Sequence, residues 1–181
     1  MIKADGLITC EILMKNMKNL DFQILSELFK NSKTSDRKMA KTVGVSQPTI
    51  TRRRAQLEKD VIDSYTIIPR WEKLGYKLLV ITLLKLKISA LAKAGYESRR
   101  KMASDWMMKH SNIIMQSPCR GSNIDAFMIS VHKDYADYDQ LANELRRDKG
   151  EHLESIQPLI VNLTENRVTK PLSFKYLAEA K

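Results

Sequence analysis

Ser35-Asp-Arg-Lys-Met-Ala-Lys-Thr-Val-Gly44-Val-Ser46-Gln-Pro-Thr-Ile-Thr-Arg-Arg-Arg-Ala-Gln-Leu-Glu-Lys59 is the stretch whose reading decides the fold. Ser35 is placed to cap a short helix whose inner face holds Met39, Ala40 and Val43. Gly44 supplies a turn and Val45 points inward. Ser46 caps a second helix, with Pro48 in its first turn, where a missing N–H costs nothing. A small residue at Ala40, a turn at Gly44 and an apolar residue at Ile50 keep the spacing of a helix-turn-helix. The second helix of that motif lies in the DNA major groove.

An ordinary helical hairpin shares the capped helices and the glycine. Two features weigh against it. The second helix carries Arg52, Arg53 and Arg54 with no carboxylate within one turn on the same face. It is followed by Val61-Ile-Asp-Ser-Tyr65-Thr-Ile-Ile-Pro69, which alternates like a small β-wing. Upstream, Ile24, Leu25 and Leu28 recur at helical spacing. Three helices and a wing make residues 19–69 a winged helix-turn-helix. Residues 1–18 form an extension in which Ile8, Ile12, Met14 and Met17 give only a poor helical pattern.

Downstream, Pro69 to Tyr76 breaks the pattern, and residues 70–77 read as a linker. Leu78 to Ile88 is a buried strand. Ser89 to His110 has helical composition, weakened at Gly95. Asn112 to Pro118 is a short strand, Cys119 to Ile124 a glycine loop, and Asp125 to His132 another strand. Asp134 to Lys149 is a helix with Tyr138, Leu141 and Leu145 on one face, and Leu153 to Leu163 closes as a strand. The order is βαββαβ, a ferredoxin-like sandwich over residues 78–181, so the fold class is α+β. The strands alternate only partly, which predicts that both faces of the sheet are covered and that two copies pair through this domain.

Composition agrees with a binding protein. The chain has 181 residues, a net charge of +10 and 43% hydrophobic residues, enough for a packed core and a polyanionic partner. Two cysteines, Cys10 and Cys119, build neither a disulfide framework nor a four-thiolate zinc site. His110, His132 and His152 lack the i, i+4 spacing of a helical metal site, so no metal or cofactor is expected. The longest apolar run, Leu78 to Leu84, is too short to span a bilayer, and Glu11, Lys15 and Lys18 interrupt any signal-peptide core. A cytoplasmic protein without membrane association is expected.

Four segments carry a resemblance. They are Leu20-Asp21 with Ile24-Leu25; Ala40 through Arg53; Leu57-Glu58 with Val61-Ile62 and Tyr65-Thr66; and Arg120 through Tyr135. Together they resemble the leucine-responsive regulator and asparagine-synthase regulator (Lrp/AsnC) family of transcription factors, archaeal members most, over about Leu20 to Leu177. The resemblance implies a homodimer built through the sandwich, often assembled into tetramers or octamers. It also implies palindromic double-stranded DNA sites and, often, an amino-acid effector held near the glycine loop. That would place an effector at Arg120, Gly121, Ser122 and Asp125. Two departures stand out. Arginine occupies position 54, where the family usually has an apolar residue. Ser122 follows the loop glycine where many members have an acid, and Gly121 and Asp125 are one residue further apart than usual. A plain hairpin turn explains Gly121 equally well.

Helix geometry separates the arginines. With about 100° per residue and Ile50 and Leu57 marking the inner face, Arg52 lies roughly 200° from Ile50, Arg53 about 60° to one side and Arg54 about 40° to the other. Arg52 is therefore the base-reading candidate and Arg53 a phosphate contact from the flank. Arg54 either bends its stem over the core rim or marks a locally rotated helix. Gln47 is suited by type to adenine and arginine to guanine. Ser46, Thr49 and the helix N-terminus reach phosphate. The full set of expected DNA contacts is Lys38, Ser46, Gln47, Pro48, Thr49, Thr51, Arg52, Arg53, Arg54 and Gln56.

Other functions are less well supported. A nucleoid-packaging protein would differ only in weak sequence preference. A sensor that no longer binds DNA should have lost its positive second helix. An enzyme on this scaffold, of the kind the siroheme decarboxylases represent, would need basic and histidine residues converging on a tetrapyrrole. Only His132 and Arg120, read as lying near the glycine loop, suggest one. No nucleophile elbow, phosphate loop or metal cluster appears in the sequence, and no catalytic residue is assigned.

Overall fold

The computed structural model describes residues 19–91, 95–164 and 168–178. The N-terminal extension and Cys10 lie outside them. The chain divides into two compact units, with the boundary after Ile68 and a second crossing at Pro171.

The first unit starts with three helices: α1 (Asn19–Lys30), α2 (Asp36–Val43) and α3 (Gln47–Asp60). The caps form as the sequence dictates. The Ser35 hydroxyl accepts from the Lys38 N–H at 3.3 Å, and Ser46 accepts from Thr49 at 3.4 Å. Gly44 ends α2 at φ 80°, a left-handed conformation that costs an L side chain strain, and its N–H returns to the Ala40 carbonyl at 2.9 Å. Ile24, Leu25, Leu28, Met39, Ala40, Ile50 and Leu57 form one buried core, with Val43, Val45 and Ile62 at its rim.

Two expectations are corrected in this unit. No strand forms over Val61–Ile68, so the helix-turn-helix has no β-wing among the described residues. The alternation is present, but a wing needs a second strand, and the chain turns at Pro69 into the 3-10 turn Trp71–Leu74 without supplying one. Val61, Tyr65, Ile67 and Ile68 are consequently exposed. The last described segment also departs from the expected 78–181 domain. The 3-10 turn Phe174–Ala178 packs on α1, where the Ser26 hydroxyl donates to the Ala178 carbonyl at 3.4 Å. It belongs to the first unit.

The second unit is the expected βαββαβ sandwich. Its elements are β1 (Leu78–Leu86), a single helical turn Ile88–Leu91, α4 (Tyr96–Met108), β2 (Ile113–Gly121), β3 (Ile124–His132), α5 (Tyr135–Lys149) and β4 (Leu153–Asn162). The sheet is antiparallel in the order β2-β3-β1-β4. Leu78, Val80, Thr82 and Leu84 point to the helix-covered face, where Leu84, Trp106, Met128, Leu141 and Leu145 form the core. Trp106 donates to Asp148 at 2.9 Å and so ties α4 to α5.

The intervening residues face the other way. The register puts Leu79 beside Val131 and Val161, Ile81 beside Ile129 and Leu159, and Leu83 beside Phe127. Met115 joins them from β2. On this face Leu159 is 53% exposed and Met115 50%.

A buried polar cluster closes the far end of the sheet. His132 Nε2 lies 2.8 Å from the Ser130 hydroxyl, and both residues are fully buried. His132 Nδ1 is 3.5 Å from Asp137 on α5 and 3.5 Å from the Asn112 amide. Burial pushes the imidazole below its ordinary pKa despite the Asp137 carboxylate. The unfolded chain therefore takes up this proton first as pH falls. Stability contributed by neutral His132 is complete above about pH 6.5, the ordinary imidazole value, and is lost as pH drops below it. The thermal midpoint should fall between pH 7.5 and 5.5, and His132→Asn should flatten that fall. An equal slope in the variant would remove His132 as its source.

Candidate nucleic-acid interface

The outer surface of α3 is built from its own core contacts. Ile50 is fully buried and Leu57 nearly so, which fixes the rotation of the helix. Gln47, Pro48, Thr51, Arg52 and Ala55 then line a shallow open depression on its outer face. Arg52 is exposed and forms no ion pair among the described residues, as the 200° offset requires. Lys38, Lys41 and Arg37 on α2 are exposed as well. The N-terminal N–H groups of α3, capped by Ser46, open onto the same surface, with the Ser46 and Thr49 hydroxyls 2.9 Å apart.

The other two arginines are drawn into the domain. Arg53 pairs with Asp21 of α1 at 3.5 Å and is only partly exposed. Arg54 donates through Nε to Glu58 at 2.9 Å and through one terminal nitrogen to Asp36 at 3.1 Å and the Thr34 carbonyl at 3.2 Å. Its guanidinium also sits 5.5 Å from the centre of the Tyr65 ring. The Tyr65 hydroxyl donates to Glu58 at 2.8 Å. That hydroxyl and the guanidinium hold the Glu58 carboxyl below the usual carboxylate range. Arg54 thus does not face outward with Arg52, and the helix is not rotated, because Ala55 is exposed. The expected absence of a carboxylate one turn away is corrected too: Glu58 is the i+4 partner of Arg54.

Of the remaining expected contacts, Thr51 donates to Asp36 at 2.7 Å and Gln56 hydrogen-bonds Asp60, while Gln47, Pro48 and Lys38 remain exposed. Asp21, Asp36 and Tyr65 were missed as parts of this surface. Only the Arg54–Glu58 spacing was legible; the rest depends on contacts between separate elements.

The expected effector loop is a tight hairpin. Ser122 and Asn123 have φ of 49° and 59°, and Gly121 pairs directly with Ile124. Two central residues at positive φ make the type I′ turn that suits the twist of a hairpin. Asp125 is committed elsewhere: it accepts from the Leu86 N–H at 2.9 Å and pairs with Lys85 at 3.2 Å. That N–H, then Lys85, hold its carboxyl below the usual range. Arg120 is exposed beside the turn. His132 does not lie near the loop, which is a further correction. It ends β3, eight residues from Ile124, or roughly 26 Å along an extended strand. His132 and Arg120 do not converge on one pocket.

A helix-turn-helix joined to a ferredoxin-like sandwich is the class these two units define. Residues 17–58 match the AsnC-type helix-turn-helix domain. An uncharacterized HTH-type transcriptional regulator of Pyrococcus furiosus is 35% identical over 75 residues, 41% of this chain and 50% of that protein. A second from the same organism is 39% identical over 88 residues, covering 48% and 57%. The chain spans about half the length of these relatives. Among solved structures, a Neisseria meningitidis transcriptional regulator in complex with L-Met superposes with a TM-score of 0.70 at 18% identity, over 89% of this chain and 99% of that one. An AsnC family transcriptional regulator from Agrobacterium tumefaciens gives 0.68 at 21%, with the same coverage. Residues 17–58 thus carry an AsnC-type helix-turn-helix domain, and the two-unit fold is the one these solved regulators share.

Proposed function

We propose that this protein is a sequence-specific DNA-binding transcription regulator that reads a palindromic site as a dimer. The single observation that carries the reading is the outward Arg52, flanked by Gln47 and the open N-terminus of α3. The two neighbouring arginines are neutralised within the domain. Arginine pairs with guanine and glutamine with adenine in the major groove. Lys38, Ser46 and Thr49 supply phosphate contacts that set register. The match of residues 17–58 to an AsnC-type helix-turn-helix domain supports a binding protein rather than an enzyme.

The test is a genomic-fragment selection with purified protein at about 150 mM salt, where non-specific phosphate binding is weakened. Recovery of one palindrome is expected. Retention without sequence preference favours the packaging alternative, and no retention at all overturns the reading.

Dimerisation follows from the open sheet face. Leu79, Ile81, Phe127, Ile129 and Leu159 form an apolar surface too continuous for a chain in water. A second copy seated there covers it and supplies the second α3 that a palindromic site requires. Leu159 is half exposed in the single chain, so Leu159→Glu leaves the core intact and places charge in the interface. Light scattering at micromolar concentration should show a dimer for the wild type and a monomer for the variant. A monomeric wild type overturns the interface.

The reading extends to a small effector of amino-acid type, supported by the methionine-bound Neisseria neighbour. Arg120, Gly121 and Ser122 are its candidate contacts, while Asp125 is held by Lys85 and Leu86. Further assembly of dimers into tetramers or octamers, and a cytoplasmic location, belong to the same reading.

A further inference from the structure

Arg54 stands where the family that the sequence resembles usually has an apolar residue, and the structure gives it four partners. Its guanidinium reaches Glu58 on its own helix, Asp36 in the first turn of α2, the Thr34 carbonyl just before that turn, and the face of Tyr65 beyond α3. Asp36 is shared: its second oxygen accepts from Thr51, one turn earlier on α3, at 2.7 Å. Tyr65 closes the circuit by donating to Glu58 at 2.8 Å. Glu58 on α3, Asp36 on α2, the loop before α2 and the segment leaving α3 are thus held by one planar group, and Thr51 joins them through Asp36. Two of the participants, Asp36 and Glu58, are carboxylates, and they flank a group only partly exposed to water.

We propose that Arg54 is a positioning residue. It locks the rotation and tilt of α3 against α2 and anchors the exit segment to the recognition helix, and it does not itself contact DNA. This rests on the DNA-binding reading above and assigns that surface its supporting framework. The physical argument is one of geometry. Base reading by Arg52 tolerates only about 0.5 Å and 10–20° of error, whereas phosphate contacts by long lysines tolerate more. A loosened α3 therefore loses base selectivity before it loses electrostatic attraction. Lysine cannot replace the arginine, because a point charge does not bridge acceptors on two edges of a plane.

The experiment measures affinity for the selected palindrome and for a scrambled duplex across a salt series. It uses the full chain as wild type, Arg54→Met, Arg54→Lys and Tyr65→Phe, each checked by circular dichroism. Arg54→Met and Arg54→Lys should both lower the palindrome-to-scrambled ratio about tenfold, the order expected for one misplaced base contact. Both should leave the salt slope at the wild-type value, since no phosphate contact is removed. Tyr65→Phe keeps the ring, loses the hydroxyl and should lower the ratio in the same direction. Restoration of the ratio by Arg54→Lys overturns the proposal, as does an unchanged ratio in Arg54→Met. A slope reduced by about one phosphate in Arg54→Met and recovered in Arg54→Lys assigns Arg54 to the DNA backbone instead. If Arg54→Met does not fold, Tyr65→Phe decides: a lowered ratio supports the lock and an unchanged one overturns it. Wild type that retains no DNA fails at an earlier step, overturning the DNA-binding reading and this inference together.

Discussion

Arg52→Ala is expected to weaken binding to the selected palindrome by about 1–3 kcal/mol, roughly 5- to 150-fold, and to relax preference at one base pair in each half-site. The residue is exposed, points away from Ile50 and has no carboxylate partner among the described residues, so its removal leaves the fold unchanged. In the proposed dimer the side chain is presented twice, so the loss should be felt in both half-sites. Competition binding against single-position variants of the palindrome measures it. Wild-type affinity and selectivity in the variant would remove Arg52 from the interface. Uniform weakening across all sequences would move it to the phosphates.

Ile50→Ala, two residues earlier on the same helix, should do the reverse. Ile50 is fully buried at the junction of all three helices, against a core that includes Ile24, Met39 and Leu57. Truncating it removes three buried carbons and leaves a cavity that the capped, short helices cannot collapse around. The cost is about 2–5 kcal/mol. For a chain of this size that corresponds to a thermal midpoint lowered by about 4–20 °C. Loss of DNA binding should track the loss of folded protein, with residual binding keeping its base preference. A midpoint within 1–2 °C of wild type, the shift expected of about 0.5 kcal/mol, would mean that this core is not what stabilises the helices. The pair of substitutions should separate the two faces of one helix by phenotype, the outer by base preference and the inner by stability.

The contrast among Arg52, Arg53 and Arg54 shows how far sequence reading reaches. Their angular offsets follow from 100° per residue and the positions of Ile50 and Leu57, so the outward placement of Arg52 was determined by the sequence itself. So were the caps at Ser35 and Ser46, the turn at Gly44 and the βαββαβ order, because each depends on residues close in the chain. The partners of the flanking arginines were not. Asp21 lies 32 residues from Arg53 and Asp36 lies 18 from Arg54, and only the packing of α1 and α2 on α3 brings them within reach. The same holds for the missing wing. Alternation over Val61–Ile68 records a capacity to pair, while pairing itself needs a strand that the described residues do not provide there. Local periodicity and capping are written in neighbouring residues. Ion pairs between elements, the commitment of Asp125 to Lys85, and the return of Phe174–Ala178 to α1 are decided by which surfaces meet in space, and no spacing along the chain encodes that.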